Sequence, residues 1–264
     1  MKKFRLLGMT LVTVVMGASL VSCSKDDNTD RGDTSSEKKL MKIVTEDESG
    51  NEIGLRFNYD NNGKLNKVQF NNAEDGPNLR TYKFSWDGNV INFRKPESQD
   101  TYKFTIEDQL IRSYEDGFNT YSYLYFADRL EKINKGTDAF GKPAYTSTIW
   151  DDDKLVEITD ANSGSTVKTI TYGKTCNKGY CPLVPSIIGL CDYFLDASDA
   201  SEMGLYVAHP ELIGARTSQL PTTITTTDKW GDSESENISY EFSEDGYISK
   251  IIWEDDYSLN LIWE

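Results

Sequence analysis

Few residues in this chain have the types and spacing that catalysis needs. Its one histidine, His209, precedes Pro210 in an apolar stretch. A single imidazole admits at most one His-dependent triad and excludes His-rich metal sites. Neither a Gly-x-Ser-x-Gly elbow nor a phosphate-cradling glycine loop occurs. Two carboxylate runs, Asp151-Asp152-Asp153 and Glu254-Asp255-Asp256, hold the groups of an acid–base pair for glycoside hydrolysis. Both fall where the chain must turn, and Asp is favoured there because its side chain bonds nearby backbone N–H groups. The spaced Asp-x-Asp-x-Asp-Gly pattern of a calcium loop is missing from both. The expectation is no catalytic residue, no cofactor and no metal.

Sulfur chemistry is confined to a short region. "CNKGYC" closes a tight loop, so Cys176 with Cys181 is the expected disulfide and Cys191 the spare thiol. A zinc site adding His209 lacks the Cys-x-x-Cys knuckles that structural zinc favours. The aromatics are the other resource. Tyr and Trp number 15 and 5, enough to stack sugars, yet most fall in an alternating row that reads as core. Trp230, in the polar turn "DKWGDSES", stands outside that row and is the candidate ligand contact, for a glycan or a protein.

These residues need elements to hold them. The sequence restates one phrase: "FNYDNNGKLNKV" at 57–68, "YEFSEDGYISKI" at 240–251, and weaker copies between. Each copy begins with aromatics at every second position, the period of a strand with one row per face. Tyr82, Phe84 and Trp86 do so, as do Tyr121, Tyr123 and Tyr125. A polar centre of Asp, Asn and Gly follows, the residues that tolerate positive φ in hairpin turns. The returning half opens on Leu, Val or Ile with a second apolar residue three places on. That spacing predicts a leading residue at the turn exit or a small bulge that switches face. The copy at 102–110 departs, with Ser113 where the others place an apolar residue.

The whole reads as all-β: an antiparallel meander of roughly sixteen short strands curling into a strongly twisted sheet or partial barrel, aromatic side inward. A partly helical insert at about 174–220 breaks the rhythm, with helix-like pieces near 186–196 and 200–214. Its apolar content predicts packing against the aromatic face. The runs are shorter than the nine to eleven or so residues of a membrane-spanning strand, which argues against an outer-membrane barrel.

The front of the chain gives an address. Lys2, Lys3 and Arg5 precede an apolar run from Leu6 to Leu20, the pattern of a secretory signal over 1–22. Leu20-Val21-Ser22-Cys23 resembles the lipobox of bacterial lipoproteins, which implies lipidation of Cys23, palmitate included, and a membrane anchor. "SKDDN" behind it resembles the export signal of surface lipoproteins of Gram-negative outer membranes. Residues 23–39 carry no sizeable apolar run and form a tether; the Arg31-Gly32-Asp33 within it is read as accident. The domain proper is 40–264. Of the 264 residues, 43 are acidic and 28 basic, and the leader removes three of the basic ones. Such a surface repels phosphate backbones, so nucleic acid is excluded as a partner.

The hairpin phrases resemble the YD repeats of cell-surface shell proteins. The hairpins, the long insert ending at "GARTSQLP" (214–221) and the closing "YEFSEDGYISKI" together resemble the Gram-negative lipoprotein family called domain of unknown function 4595. That resemblance implies export and an all-β domain, and it carries no catalytic residues. The functional expectation is a lipid-anchored, non-catalytic binding or scaffold module of the cell envelope. The alternative is a glycan hydrolase working through turn carboxylates.

Overall fold

The computed structural model describes residues 37–46, 49–71, 79–94, 101–138, 140–161, 165–190, 200–254 and 257–264. The expected signal, Cys23 and nearly all of the tether lie outside the described residues. The strands are β1 (Leu40–Glu46), β2 (Glu52–Tyr59), β3 (Leu65–Asn71), β4 (Arg80–Asp87), β5 (Val90–Arg94), β6 (Thr101–Glu107), β7 (Leu110–Glu115) and β8 (Thr120–Phe126). They continue as β9 (Arg129–Thr137), β10 (Pro143–Asp151), β11 (Lys154–Asp160), β12 (Thr166–Cys176), β13 (Gln219–Thr227), β14 (Ser233–Phe242), β15 (Ile248–Trp253) and β16 (Ser258–Trp263). Each pairs antiparallel with its neighbours in sequence, and β1 pairs with β16, so the meander closes into a barrel. The sequence left closure open; the Ile43–Leu261 and Val44–Asn260 pairings supply it and remove both sheet edges.

The apolar residues spaced by three are explained by bulges. Tyr59 faces Leu65 and Asn58 faces Lys67, leaving one extra residue on β3. The same slip occurs at Tyr125–Leu130, Trp150–Leu155 and Phe242–Ile248. The extra residue resets the alternation, so Leu65 with Val68, Leu130 with Ile133 and Leu155 with Ile158 are all buried. The third copy obeys the rule one residue later than the sequence indicates. Asp108 and Gln109 both take positive φ in a two-residue turn. Its leading residue is therefore Ile111, its partner Tyr114, and Ser113 faces outward between Thr105 and Ser122.

Barrels of this strand number generally enclose a water-filled lumen. Here the inner face carries Phe57, Phe70, Phe93, Phe104, Ile111 and Leu130, all buried, and the insert fills the rest. β12 runs to Cys176 and β13 starts at Gln219, so the insert between strands spans 177–218, narrower than the sequence indicates. It contains α1 (Val184–Ile187), α2 (Ala200–Ala208) and a 3-10 turn at Pro210–Ile213. Residues 191–199 lie outside the described residues. Tyr206 is fully buried; its ring meets Phe104 edge-on at 5.8 Å and its hydroxyl pairs with that of Tyr123 at 2.8 Å. Gly204 lets α2 lie directly on Val68, whose methyl would stand 2.6 Å from an added Cβ. The aromatic face is inward and the insert covers it, as the sequence predicts.

The outer wall is mostly polar, with Leu124, Ile149 and Ile262 exposed among its polar rows. Ser85, Asn92 and Lys103 line up across β4, β5 and β6, and Thr105, Ser113 and Ser122 across β6, β7 and β8. On β13 and β14 the facing pairs Thr225–Ser235 and Thr227–Ser233 bond hydroxyl to hydroxyl at 2.8 Å. A membrane-spanning barrel presents an apolar band outward; these rows present hydroxyl, amide and ammonium groups.

One bond recurs around one end of the barrel. An aromatic near the end of an even strand donates to a backbone carbonyl near the start of the preceding odd strand. Tyr59 donates to Leu40, Trp86 to Leu65, Tyr125 to Ile111 and Trp150 to Leu130. Tyr172 to Leu155, Tyr240 to Pro221 and Trp263 to Ile248 complete the set. Each ring pins the open end of a hairpin whose legs are joined only at the far end. The repeated aromatics are thus structural. The β5–β6 pair is the exception: Ile106 occupies the ring position and has no donor on its side chain.

Candidate functional site

A cleft of about 540 Å³ opens at that break, lined by Ile106 and Gly88 on one side and by the insert on the other. His209 forms its inner wall, just after α2. The Leu65 N–H donates to His209 Nε2 at 3.1 Å, so Nε2 holds the lone pair. Nδ1 then carries the proton and donates to Glu211 Oε1 at 2.8 Å. Leu65 is clamped twice, since its carbonyl accepts from Trp86. The rings of Trp86 and Tyr59 stand edge-on to the imidazole at 5.5 and 6.0 Å. His209 is therefore a positioned core residue that ties the insert to β3. Burial, the largest single influence, works to raise the Glu211 carboxyl, but the hydrogen bond and electrostatic attraction of His209, a backbone N–H and Arg216 together outweigh it and hold the group below its ordinary value.

Cations dominate the mouth. Lys64 stands over the Trp86 ring at 5.0 Å and Lys39 over the Tyr59 ring at 5.1 Å. Lys39 Nζ lies so close to Gly63 that an added Cβ would come within 2.7 Å, which brings the two ammonium groups to one turn. Among the described residues neither lysine makes an ion pair. Lys38 and Arg216 also line the mouth, but they bind Asp245 (2.6 Å) and Glu37. Behind them Tyr180 is buried and its hydroxyl has no hydrogen-bond partner among the described residues. Burial pushes its phenol well above the ordinary value, and its electrostatic neighbours Tyr59, Glu211, Arg216 and Glu37 all line the cleft. A donor buried without a partner costs about 1–3 kcal/mol. The arrangement offers an anionic group two ammonium ions at the mouth, in front of a phenol whose hydroxyl is buried.

At the edge of the site the Asp245 carboxyl is held at about 2 by the hydrogen bonds from Lys38 and Ser243. A depressed carboxylate adds stability above its unfolded value, and that contribution disappears as pH falls through the folded one. The Asp245→Asn chain is therefore expected to lose less stability than the parent between about pH 4 and pH 2, as read by urea unfolding at each pH.

The cysteines correct the sequence reading. Cys181 is a free, fully buried thiol, so the 176–181 disulfide does not form. Cys176 is disulfide-bonded to a cysteine outside the described residues. The loop is closed instead by Asn177, whose Nδ2 donates to the Tyr180 carbonyl and whose Oδ1 accepts from the Ile248 N–H. Burial pushes the Cys181 thiol up to about 12. The native chain from Ser24 onward is expected to give no thiol signal with an aromatic disulfide reagent at pH 8, and one thiol once unfolded without reductant.

Trp230 lies on the β13–β14 turn, 77% exposed and far from the cleft. Asp151–Asp153 form the β10–β11 tip, where Asp152 takes positive φ, and of Glu254-Asp255-Asp256 only Glu254 is described. The cleft residues Lys39, Lys64 and Tyr180 escaped the sequence reading, because nothing local marks them.

No protein-family model matches the chain, and no curated protein matches it. Among solved structures it is similar to a porin-like protein from Bacteroides uniformis ATCC 8492, at 15% identity and a TM-score of 0.61. That match covers 86% of this chain and 96% of the other. It is also similar to a porin-like protein from Bacteroides vulgatus ATCC 8482, at 14% identity and a TM-score of 0.59, covering 86% of this chain and 99% of that one. At these identities the likeness establishes the fold: a closed antiparallel barrel.

Proposed function

We propose that this protein is a lipid-anchored, non-catalytic binding module of a Gram-negative outer membrane, and that its cleft takes an anionic group of its ligand. The observation that carries the reading is the pair Lys39 and Lys64, which make no ion pair among the described residues of an acidic protein, in front of the buried Tyr180 hydroxyl. The lipobox-like Cys23, the resemblance to domain of unknown function 4595 and the barrel likeness to proteins described as porin-like support the envelope location. The polar wall and filled interior favour a water-exposed binding domain over a channel.

The test uses the chain from Ser24 onward on an array of glucuronate-bearing and neutral oligosaccharides. Binding of acidic members is expected to fall about tenfold or more in Lys39→Ala/Lys64→Ala, since two charge-assisted contacts are lost. Equal binding by parent and variant would remove the cleft from the function. The same chain is expected to give no conductance across a planar bilayer. The rival reading, a hydrolase using turn carboxylates, requires reducing-sugar release that disappears in Asp152→Asn.

A further inference from the structure

Every connector from an odd to an even strand lies at the barrel end opposite the cleft, because the strands alternate in direction. Among the described residues, three of these connectors hold a ring more than three-quarters exposed: Phe118 at 90%, Phe140 at 79% and Trp230 at 77%. The turns themselves do not require it. In the Asp138 turn, Oδ1 accepts from the N–H groups of Phe140 and Lys142 at 2.9 and 2.8 Å. In the Asp228 turn, Oδ1 accepts from Trp230 and Asp232, both at 2.9 Å. The same turn at the cleft end, built on Asp60, places Asn62 at the ring position with the same two bonds. One backbone frame therefore takes a polar residue at one end and large rings at the other. A ring fixed in water adds nothing to the fold, and grouped exposed rings mark an interaction surface.

The rim's charge says what fits it. Asp116, Asp138, Asp228, Asp232, Glu234 and Glu236 lie in or beside these connectors, none of them buried. Lys229 already stands over one face of Trp230 at 4.3 Å, so that ring accepts a cation. An anionic lipid surface or acidic glycan is repelled from such a rim. Phe118 and Phe140 sit on successive hairpins, about 10 Å apart, with Trp230 about 20 Å further on. That span needs an elongated partner. β1 starts at the cleft end, so residue 37 lies at the end of the barrel away from this rim. Among the described residues the opposite end shows one comparably exposed ring, Phe126 at 77%.

We infer that the rim carrying Phe118, Phe140 and Trp230 is a docking surface for a cationic amphipathic polypeptide segment. Its apolar side chains meet the rings and its lysines or arginines meet the carboxylates. The experiment titrates a synthetic helix of alternating lysine and leucine faces against the chain from Ser24 onward, which contains every strand of the barrel. Binding is expected to weaken as salt rises. It should fall about tenfold or more both in Phe118→Ser/Phe140→Ser/Trp230→Ser and in Glu234→Gln/Glu236→Gln. The unfolding midpoints should match the parent's, because none of these side chains is buried. Lys39→Ala/Lys64→Ala should leave it unchanged, which separates this surface from the cleft. Parent-like affinity in the triple variant would overturn the inference. So would displacement of the peptide by a neutral polysaccharide, or loss of peptide binding in the cleft variant alone.

Discussion

Gly214→Ala is expected to destabilise the barrel by about 3 kcal/mol or more. Gly214 ends the 3-10 turn with φ +59, a conformation that costs an alanine about 1 kcal/mol. The steric cost is larger. An added Cβ would stand 2.3 Å from the Asp128 carbonyl oxygen and 3.0 Å from the Leu130 nitrogen. Those are backbone atoms of the β8–β9 turn, which is itself tight, with Ala127 and Asp128 both at positive φ. Neither side can yield, because Arg129 binds the Arg216 carbonyl at 2.8 Å and holds the insert against that turn. Gly136→Ala is the control: φ is +88 but the space around it is open, so only the conformational cost of about 1 kcal/mol applies. Urea unfolding compares the two. Equal losses would mean that the insert does not dock where the structure places it.

Ile106→Trp is expected to fill the cleft and abolish binding of the acidic ligand, a loss of about 100-fold or more. Ile106 faces Ile111 across the same bulge at which Tyr59, Tyr125 and Trp150 face Leu65, Leu130 and Leu155. An indole there completes the ring of side chains that pins the hairpin ends, and its bulk enters the space that Ile106 leaves open. Stability should hold or rise slightly, because the new ring gains a carbonyl partner and buries surface. The measurement pairs a binding isotherm for the glucuronate oligosaccharide with an unfolding curve. Retained affinity in a folded variant would show that the ligand sits elsewhere.

The repeat makes the strands readable. Alternating aromatics around Asp-Gly centres are local signals, and Tyr82, Phe84 and Phe104 face inward as their spacing requires. Even the bulges are visible as the spacing of three between Leu65 and Val68. The third copy misled because Leu110 and Ile111 are both apolar; its turn has the frame of those at 125–130 and 150–155, so Ile111, five residues after Ile106, is the one that leads. The cysteine pairing misled for a different reason. Short spacing makes a disulfide easy to close, but Asn177 closes the loop first, and Cys181 is carried into the core with its N–H on the Thr217 carbonyl.

The sequence by itself determined the strands, their turns, the inward row and the acidic balance, because each follows from a residue and its near neighbours. Tertiary structure decided the closure, the docking of the insert and the cleft. Leu40 meets Trp263 across nearly the whole chain, and His209 reaches a Leu65 N–H that lies 144 positions away. Such contacts depend on how sixteen strands curl and on which carbonyl lacks a ring, and no periodicity within one hairpin encodes either.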